Sequence, residues 1–168
     1  TPPTFDICVL PGDGIGTEVI AATLPILERV QHNAPFAFRF HEHPAGAQHY
    51  RDTGHALPEA TLQAARDADA ILFGAMGWPA IRYPDGTEIA PQLDLRVELD
   101  LFAGVRPARA LPGITLPLAD PRARGIDLVV IRESTEGLFA SRGKGVIDND
   151  AEARDTMVIT RRGSERVH

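Results

Sequence analysis

The stretch "VLPGDGIGTEV", Val9 to Val19, drives an apolar run into a helical pattern through a glycine-rich turn. The hydrophobic period changes there, from the unbroken run of a strand buried on both faces to the roughly 3.6-residue spacing of a helix. Phe5 to Pro11 reads as the strand, and Val19, Ile20, Leu24, Leu27 and Val30 recur at helical spacing as far as Gln31. A strand that must be covered on both faces, followed at once by a helix, commits the chain to layered α/β architecture.

The alternation continues downstream. Phe36, Phe38 and Phe40 alternate with Ala37, Arg39 and His41, the period of a strand. Pro58 and Glu59 look like the first turn of a helix running to about Ala68, with proline at N1 and an acid at the positive end of the dipole. "AILFGA", Ala70 to Ala75, is a second short buried strand. A Gly/Pro-rich loop covers Met76 to Pro91, and a helical pattern follows through Leu93, Val97 and Leu101. Strand signals return at Phe102–Arg106, Leu128–Ile131 and Thr156–Thr160, and Ser164 resembles an N-cap. The expected fold is α/β with a largely parallel sheet.

Bulk properties narrow the partners. A chain of 168 residues, 43% hydrophobic and 24% charged, can bury a real core. Its net charge of -6 repels polyanions, which argues against nucleic acid or an anionic membrane as partner. No apolar stretch approaches the roughly 18 residues of a membrane span. A single cysteine, Cys8, builds neither a disulfide framework nor a cysteine-rich zinc site, so a reducing cytoplasm is the expected compartment.

The candidate chemistry lies in three places. Gly12, Gly14 and Gly16 give G-x-G-x-G, whereas a dinucleotide fingerprint requires G-x-G-x-x-G and finds Thr17 at its last position. The turn is therefore either a phosphate cradle, with Glu42 as the acid on a ribose, or a tight strand-to-helix turn. His41 and His43 flank Glu42, with His49 and His55 beyond. They lack a further ligand pair at metal spacing and read as solvated loop histidines. The arginines say more: Lys144 is the one lysine among 17 basic residues.

Arg96 interrupts an apolar helical pattern, Arg106 precedes Pro107 at the end of "LFAGVRP", and Arg132 ends the apolar "LVVI". A guanidinium grips a carboxylate through two N–H groups, so three converging arginines would suit an acid with two or three carboxylates. In open α/β sheets such ligands sit beyond the carboxyl ends of strands. Spacing alone leaves open whether the three converge.

"LPGDGIGTEV", "LRVELDLFAGVRPARALPG" and "VVIRESTEG", in register from about Ile7 to Gly137, resemble the β-decarboxylating 2-hydroxyacid dehydrogenases. These are the isocitrate, 3-isopropylmalate and tartrate dehydrogenases. The resemblance implies their α/β/α architecture in two domains: the first over residues 1–101 and the second from 102 to 168, cut short here. Residues 140–160 would then be an arm embracing a second copy in a homodimer; as a sequence they also read as a surface loop.

The activity implied is oxidation of a small malate-type 2-hydroxy acid by NAD or NADP, followed by loss of CO2. Mg2+ or Mn2+ assists, its ligands lying in the half absent here, so that this segment alone would be inactive. Arg96, Arg106 and Arg132 fall on the family's carboxylate-binding arginines, and Gln92 and Leu93 on positions that read the substrate's variable group. Gly14 and Ile15 would lie beside the nicotinamide, which makes the glycine turn a look-alike rather than a pyrophosphate cradle. One departure stands out. Phe139 occupies the place of the family's proton-donating tyrosine, which keeps open a non-catalytic, acid-binding or regulatory paralogue.

Overall fold

Two hydrogen-bonded neighbours, one on each side, explain why the run at the amino end is so apolar. In the computed structural model, which describes residues 2–149 and 151–168, β1 (Thr4–Leu10) is the middle strand of three. It pairs in parallel with β2 (Ala37–Glu42) and β3 (Ala70–Phe73), in the order β2-β1-β3. Val9 and Leu10 are 0% exposed. Helix α1 (Ile15–Gln31) sends Ile20 into a cluster with Ile7 and Val9, closed by Leu24, Phe38, Phe40 and Leu72. These elements belong to the first of two compact units, residues 1–95.

The same unit contains α2 (Ala47–Thr53) and α3 (Glu59–Asp67). Pro58 is the N-cap of α3 rather than its first helical residue. The sequence gives no sign of α2, whose seven residues "AQHYRDT" carry no apolar stripe. It forms because Ala47 packs with Ala56 and Ile89, and it stops at Gly54, which has a left-handed φ of 81°. Ile89 comes from the Gly/Pro-rich loop, so that loop is partly core.

Helix α4 (Pro91–Glu98) carries the chain to the second unit, residues 96–168. Its end is a paired-bond stop: the Leu101 N–H donates to the Arg96 carbonyl at 2.8 Å and the Asp100 N–H to the Val97 carbonyl at 3.3 Å. Such a stop needs a left-handed residue, usually glycine. Here Asp100 takes it, with φ 47°. Leu101 therefore falls outside the helix that the periodicity extends to it.

The expectation of a largely parallel sheet holds for the first unit only. In the second, β4 (Ala103–Arg109) and β5 (Asp127–Glu133) pair antiparallel. β4 runs through Pro107 to Arg109, because a strand with one hydrogen-bonded partner tolerates a proline that a central strand would not. β6 (Val146–Asn149) and β7 (Glu152–Arg154) form an antiparallel hairpin with a register irregularity. The expected strand at Thr156–Thr160 is not formed. Only Val158 bridges, to Gly137, and Thr160 is instead the N-cap of α5 (Arg161–Glu165), its hydroxyl accepting from the Gly163 N–H at 3.0 Å. Ser164, read as the cap, lies inside the helix.

Candidate functional site

The register of β4 and β5 sets two of the arginines on one face. Gly104 lies opposite Arg132 and Val130 opposite Arg106. Arg106 and Arg132 are therefore diagonal neighbours on the same side of the sheet, typically about 7–8 Å apart at the backbone. Gly104 leaves room there: a Cβ at that position would stand 3.3 Å from the Arg132 carbonyl oxygen and 3.7 Å from its Cβ. The two strands run in opposite directions, so a shared face, rather than shared carboxyl ends, brings these arginines together. Of the other parity, Val105, Val129 and Ile131 make the middle of the opposite face apolar, between Glu133 at one end and the Arg109–Asp127 pair at the other.

The Arg132 guanidinium carbon lies 5.7 Å from the centre of the Phe139 ring. Phe139 is held near it by the short 3-10 turn Leu138–Ser141, where the Ser141 hydroxyl donates to the Leu138 carbonyl at 2.8 Å. Among the described residues, Arg96, Arg106 and Arg132 make no ion pair. Elsewhere Arg109 meets Asp127 at 3.4 Å and Arg122 meets Asp120 at 2.6 Å. An unpaired guanidinium keeps its fork available for an acid from outside.

Glu133, next to Arg132 and on the other face of β5, is fully engaged. Burial pushes its pKa up, but the Glu136 N–H, the Arg166 guanidinium, and the Thr135 hydroxyl and N–H outweigh this and hold it at about 2. Arg166 reaches it at 2.6 Å and is only 15% exposed. The same guanidinium donates to Asp100 at 2.9 Å and lies 4.4 Å from the centre of the Phe102 ring.

Arg96 belongs to the same unit as Arg106 and Arg132, and its backbone carbonyl closes the stop of α4. Gln92 and Leu93 lie one helical turn earlier, in the first unit. The Gln92 side-chain oxygen is buried with no hydrogen-bond partner among the described residues.

In the opening turn, Gly12 and Gly16 are required by close approach, since a Cβ on either would stand under 2.5 Å from the Ala75 carbonyl oxygen. Gly14 begins α1 with φ 52° and no side-chain cap, and Ile15 beside it is 62% exposed. The residue that sequence reading passed over is Asp13. It is 3% exposed, and its carboxylate accepts the Ala47, Gln48 and Gly77 N–H groups, each at 2.8 Å. An acid enclosed by glycines after a buried strand was the available signal. The turn thus spends its acid on its own backbone. His41 is paired as well, with Nε2 2.7 Å from Asp6. Among the described residues no group of three or more His, Cys, Asp or Glu is arranged to hold a metal ion, and no helix is long and apolar enough to cross a membrane.

Comparison with known proteins converges on one family. A model of the isocitrate/isopropylmalate dehydrogenase family matches residues 6–168. A 3-isopropylmalate dehydrogenase of Staphylococcus aureus (strain Mu50 / ATCC 700699) is 37% identical over 166 residues, 98% of this chain and 47% of the relative. That of Desulfitobacterium hafniense (strain Y51) is 38% identical over 96% of this chain and 47% of its own length. The crystal structure of isocitrate dehydrogenase from Methylococcus capsulatus superposes with a TM-score of 0.77 at 32% identity, covering 97% of this chain and 45% of that one. A β-decarboxylating dehydrogenase from Thermococcus kodakarensis gives 0.66 at 32% identity, over 97% and 43%. The chain spans about half the length of the curated relatives it matches. With its mixed α/β fold, its glycine turn and its arginine-bearing strands, the chain belongs to the isocitrate/isopropylmalate dehydrogenase family.

Proposed function

We propose that these residues serve, in a whole protein of the relatives' length, the oxidative decarboxylation of a malate-type 2-hydroxy di- or tricarboxylic acid of isopropylmalate, isocitrate or tartrate kind. The observation that carries this is the shared face of Arg106 and Arg132, both without a carboxylate partner among the described residues and with Phe139 against the second. Arg106 and Arg132 grip the malate part of the acid, Arg96 adds a third guanidinium, and Gln92 and Leu93 read the variable substituent. The amide of Gln92 beside the apolar Leu93 makes a mixed lining, which favours a polar substituent over isopropyl.

Gly14, with its positive φ, and the exposed Ile15 are assigned to the nicotinamide side of the site. When bound, NAD or NADP would supply the hydride acceptor for C2 of the acid, and Mg2+ or Mn2+ would supply Lewis-acid polarisation of its C2 oxygen. In this reading the ligands of that ion belong to the rest of the whole protein, and the 168-residue chain alone is expected to be inactive. The domain division at 101/102 is part of the same reading. The β6–β7 hairpin, with Ile147 81% exposed, would dock a second copy as the arm of a homodimer in the cytoplasm.

The test is an assay of the full-length protein on isopropylmalate, isocitrate and tartrate, with NAD and NADP separately, beside Arg132→Lys. Lysine keeps the charge and loses the fork; a charged hydrogen bond contributes about 1.5–3 kcal/mol, so affinity falls about 10- to 150-fold with little change in stability. Unchanged affinity for every acid sinks the arginine site.

One observation favours a second reading, an acid-binding or regulatory subunit without turnover: Phe139 stands against Arg132 and has no proton to give. After CO2 leaves, the carbanionic carbon must collect one, and a positioned acid contributes about 10²–10⁴-fold. If the protein is catalytic, hydride transfer survives better than turnover and Phe139→Tyr accelerates product release. Acid binding with no NADH formed by either variant favours the subunit.

A further inference from the structure

Three backbone segments carry the candidate acid-binding arginines, and one guanidinium touches all three. Arg96 sits four residues before Asp100, Phe102 four residues before Arg106, and Glu133 directly after Arg132. Arg166 donates to Asp100 Oδ1 at 2.9 Å and Oδ2 at 3.2 Å through one terminal nitrogen. Through the other it donates to Glu133 Oε1 at 2.6 Å and to the Thr135 hydroxyl. Its guanidinium carbon lies 4.4 Å from the Phe102 ring centre. We propose that Arg166 is a positioning residue for the acid site, clamping the end of α4, the start of β4 and the end of β5 so that Arg96, Arg106 and Arg132 present their forks together.

Two features argue that the clamp is more than surface stitching. Asp100 occupies the left-handed stop of α4, where glycine fits without strain. Its carboxylate is what glycine would lack, and it receives Arg162 at 3.1 Å as well as Arg166. Second, the Arg166 Nε is buried with no hydrogen-bond partner among the described residues. The side chain leaves one donor unsatisfied while its two terminal nitrogens span Asp100 and Glu133, a geometry that needs a planar fork. Arg166 is itself held at the end of α5, whose N-cap Thr160 donates its hydroxyl to Glu136 at 2.6 Å.

The proposal rests on the acid-site reading above, and the experiment separates the two. In the full-length protein, affinities for isopropylmalate, isocitrate and tartrate are measured by calorimetry in wild type, Arg166→Met, Arg166→Lys and Asp100→Gly, with KM for acid, KM for NAD(P), kcat and melting temperature. Asp100→Gly preserves the helix stop and removes only the carboxylate, so it stays folded even if Arg166→Met does not. Displacement of a gripping group by about an ångström costs up to about 100-fold. Asp100→Gly and Arg166→Met are expected to raise the acid KM and dissociation constant about 10- to 100-fold with the cofactor KM unchanged. Arg166→Lys is expected not to restore them, since one ammonium cannot bridge both carboxylates. Asp100→Gly with wild-type acid affinity overturns the positioning role alone, whatever its melting temperature. A wild type that binds none of the acids overturns the acid site and the positioning role with it.

Discussion

"ICVL" in β1 and "LVVI" in β5 are nearly interchangeable as sequences, yet they have opposite surroundings. Ile7 to Leu10 are at most 8% exposed, between two parallel partners and under α1. Leu128 to Ile131 are 47–56% exposed, with one antiparallel partner. An apolar run thus states that a strand will be covered, not by what. In the first unit the cover comes from elements within these residues. In the second it does not, and both faces of the sheet leave apolar side chains exposed, one of them beside Arg106 and Arg132.

The largest effect expected lies in the first unit. Asp13→Ala leaves three buried N–H groups without an acceptor, and urea unfolding of the whole protein should register a loss of about 3–5 kcal/mol. A loss below about 1 kcal/mol would place water at those amides and weaken the contrast between the units.

Next comes a matched pair of truncations. Leu10→Ala should cost about 2–5 kcal/mol wherever it is measured, whereas Ile131→Ala in the 168-residue chain should cost less than about 1 kcal/mol. In the whole protein the second figure should climb toward the first if other residues cover that face. Equal small losses for Ile131→Ala in both chains mean the face stays in water.

A smaller effect belongs to acid. The native pKa of Glu133 lies below its ordinary value of 4.5, so its carboxylate contributes stability above that value and loses it as pH falls toward about 2. With the Glu133 side chain 20% exposed, the contribution is about 1–2 kcal/mol. Glu133→Gln should flatten the fall in stability between pH 4.5 and 2; a wild-type slope in the variant assigns the acid sensitivity elsewhere. Least of all, Thr160→Ala removes the cap of α5 and should cost about 1 kcal/mol. Hydrogen exchange should place that loss in residues 96–168; loss spread equally over both units would mean they unfold as one.

What could be read from the sequence follows from range. β1, α1 and β3 are legible because each carries its own hydrophobic period, and the arginines stand out because each breaks an apolar pattern. α2 was not legible: it rests on Ala47 meeting Ile89, a contact between distant parts of the chain. Thr156–Thr160 has strand composition, yet Glu136 captures both the N–H and the hydroxyl of Thr160 and turns the segment into a helix cap. Arg166 reads as one more arginine in "RRGSERV"; only the fold reveals that it meets Asp100 and Glu133.

Asp13 also has a temporal meaning. Its acceptor sites wait for amides 34, 35 and 64 positions further along. Ala47 and Gln48 cannot arrive until one long loop has closed, nor Gly77 until a second has, so the turn gains its partners only as β2 and β3 come alongside β1, later than the local winding of α1. The amides of Ala47 and Gln48 should then acquire protection together, and that of Gly77 with the closure of its own longer loop. The glycine turn is a knot tied late in the first unit.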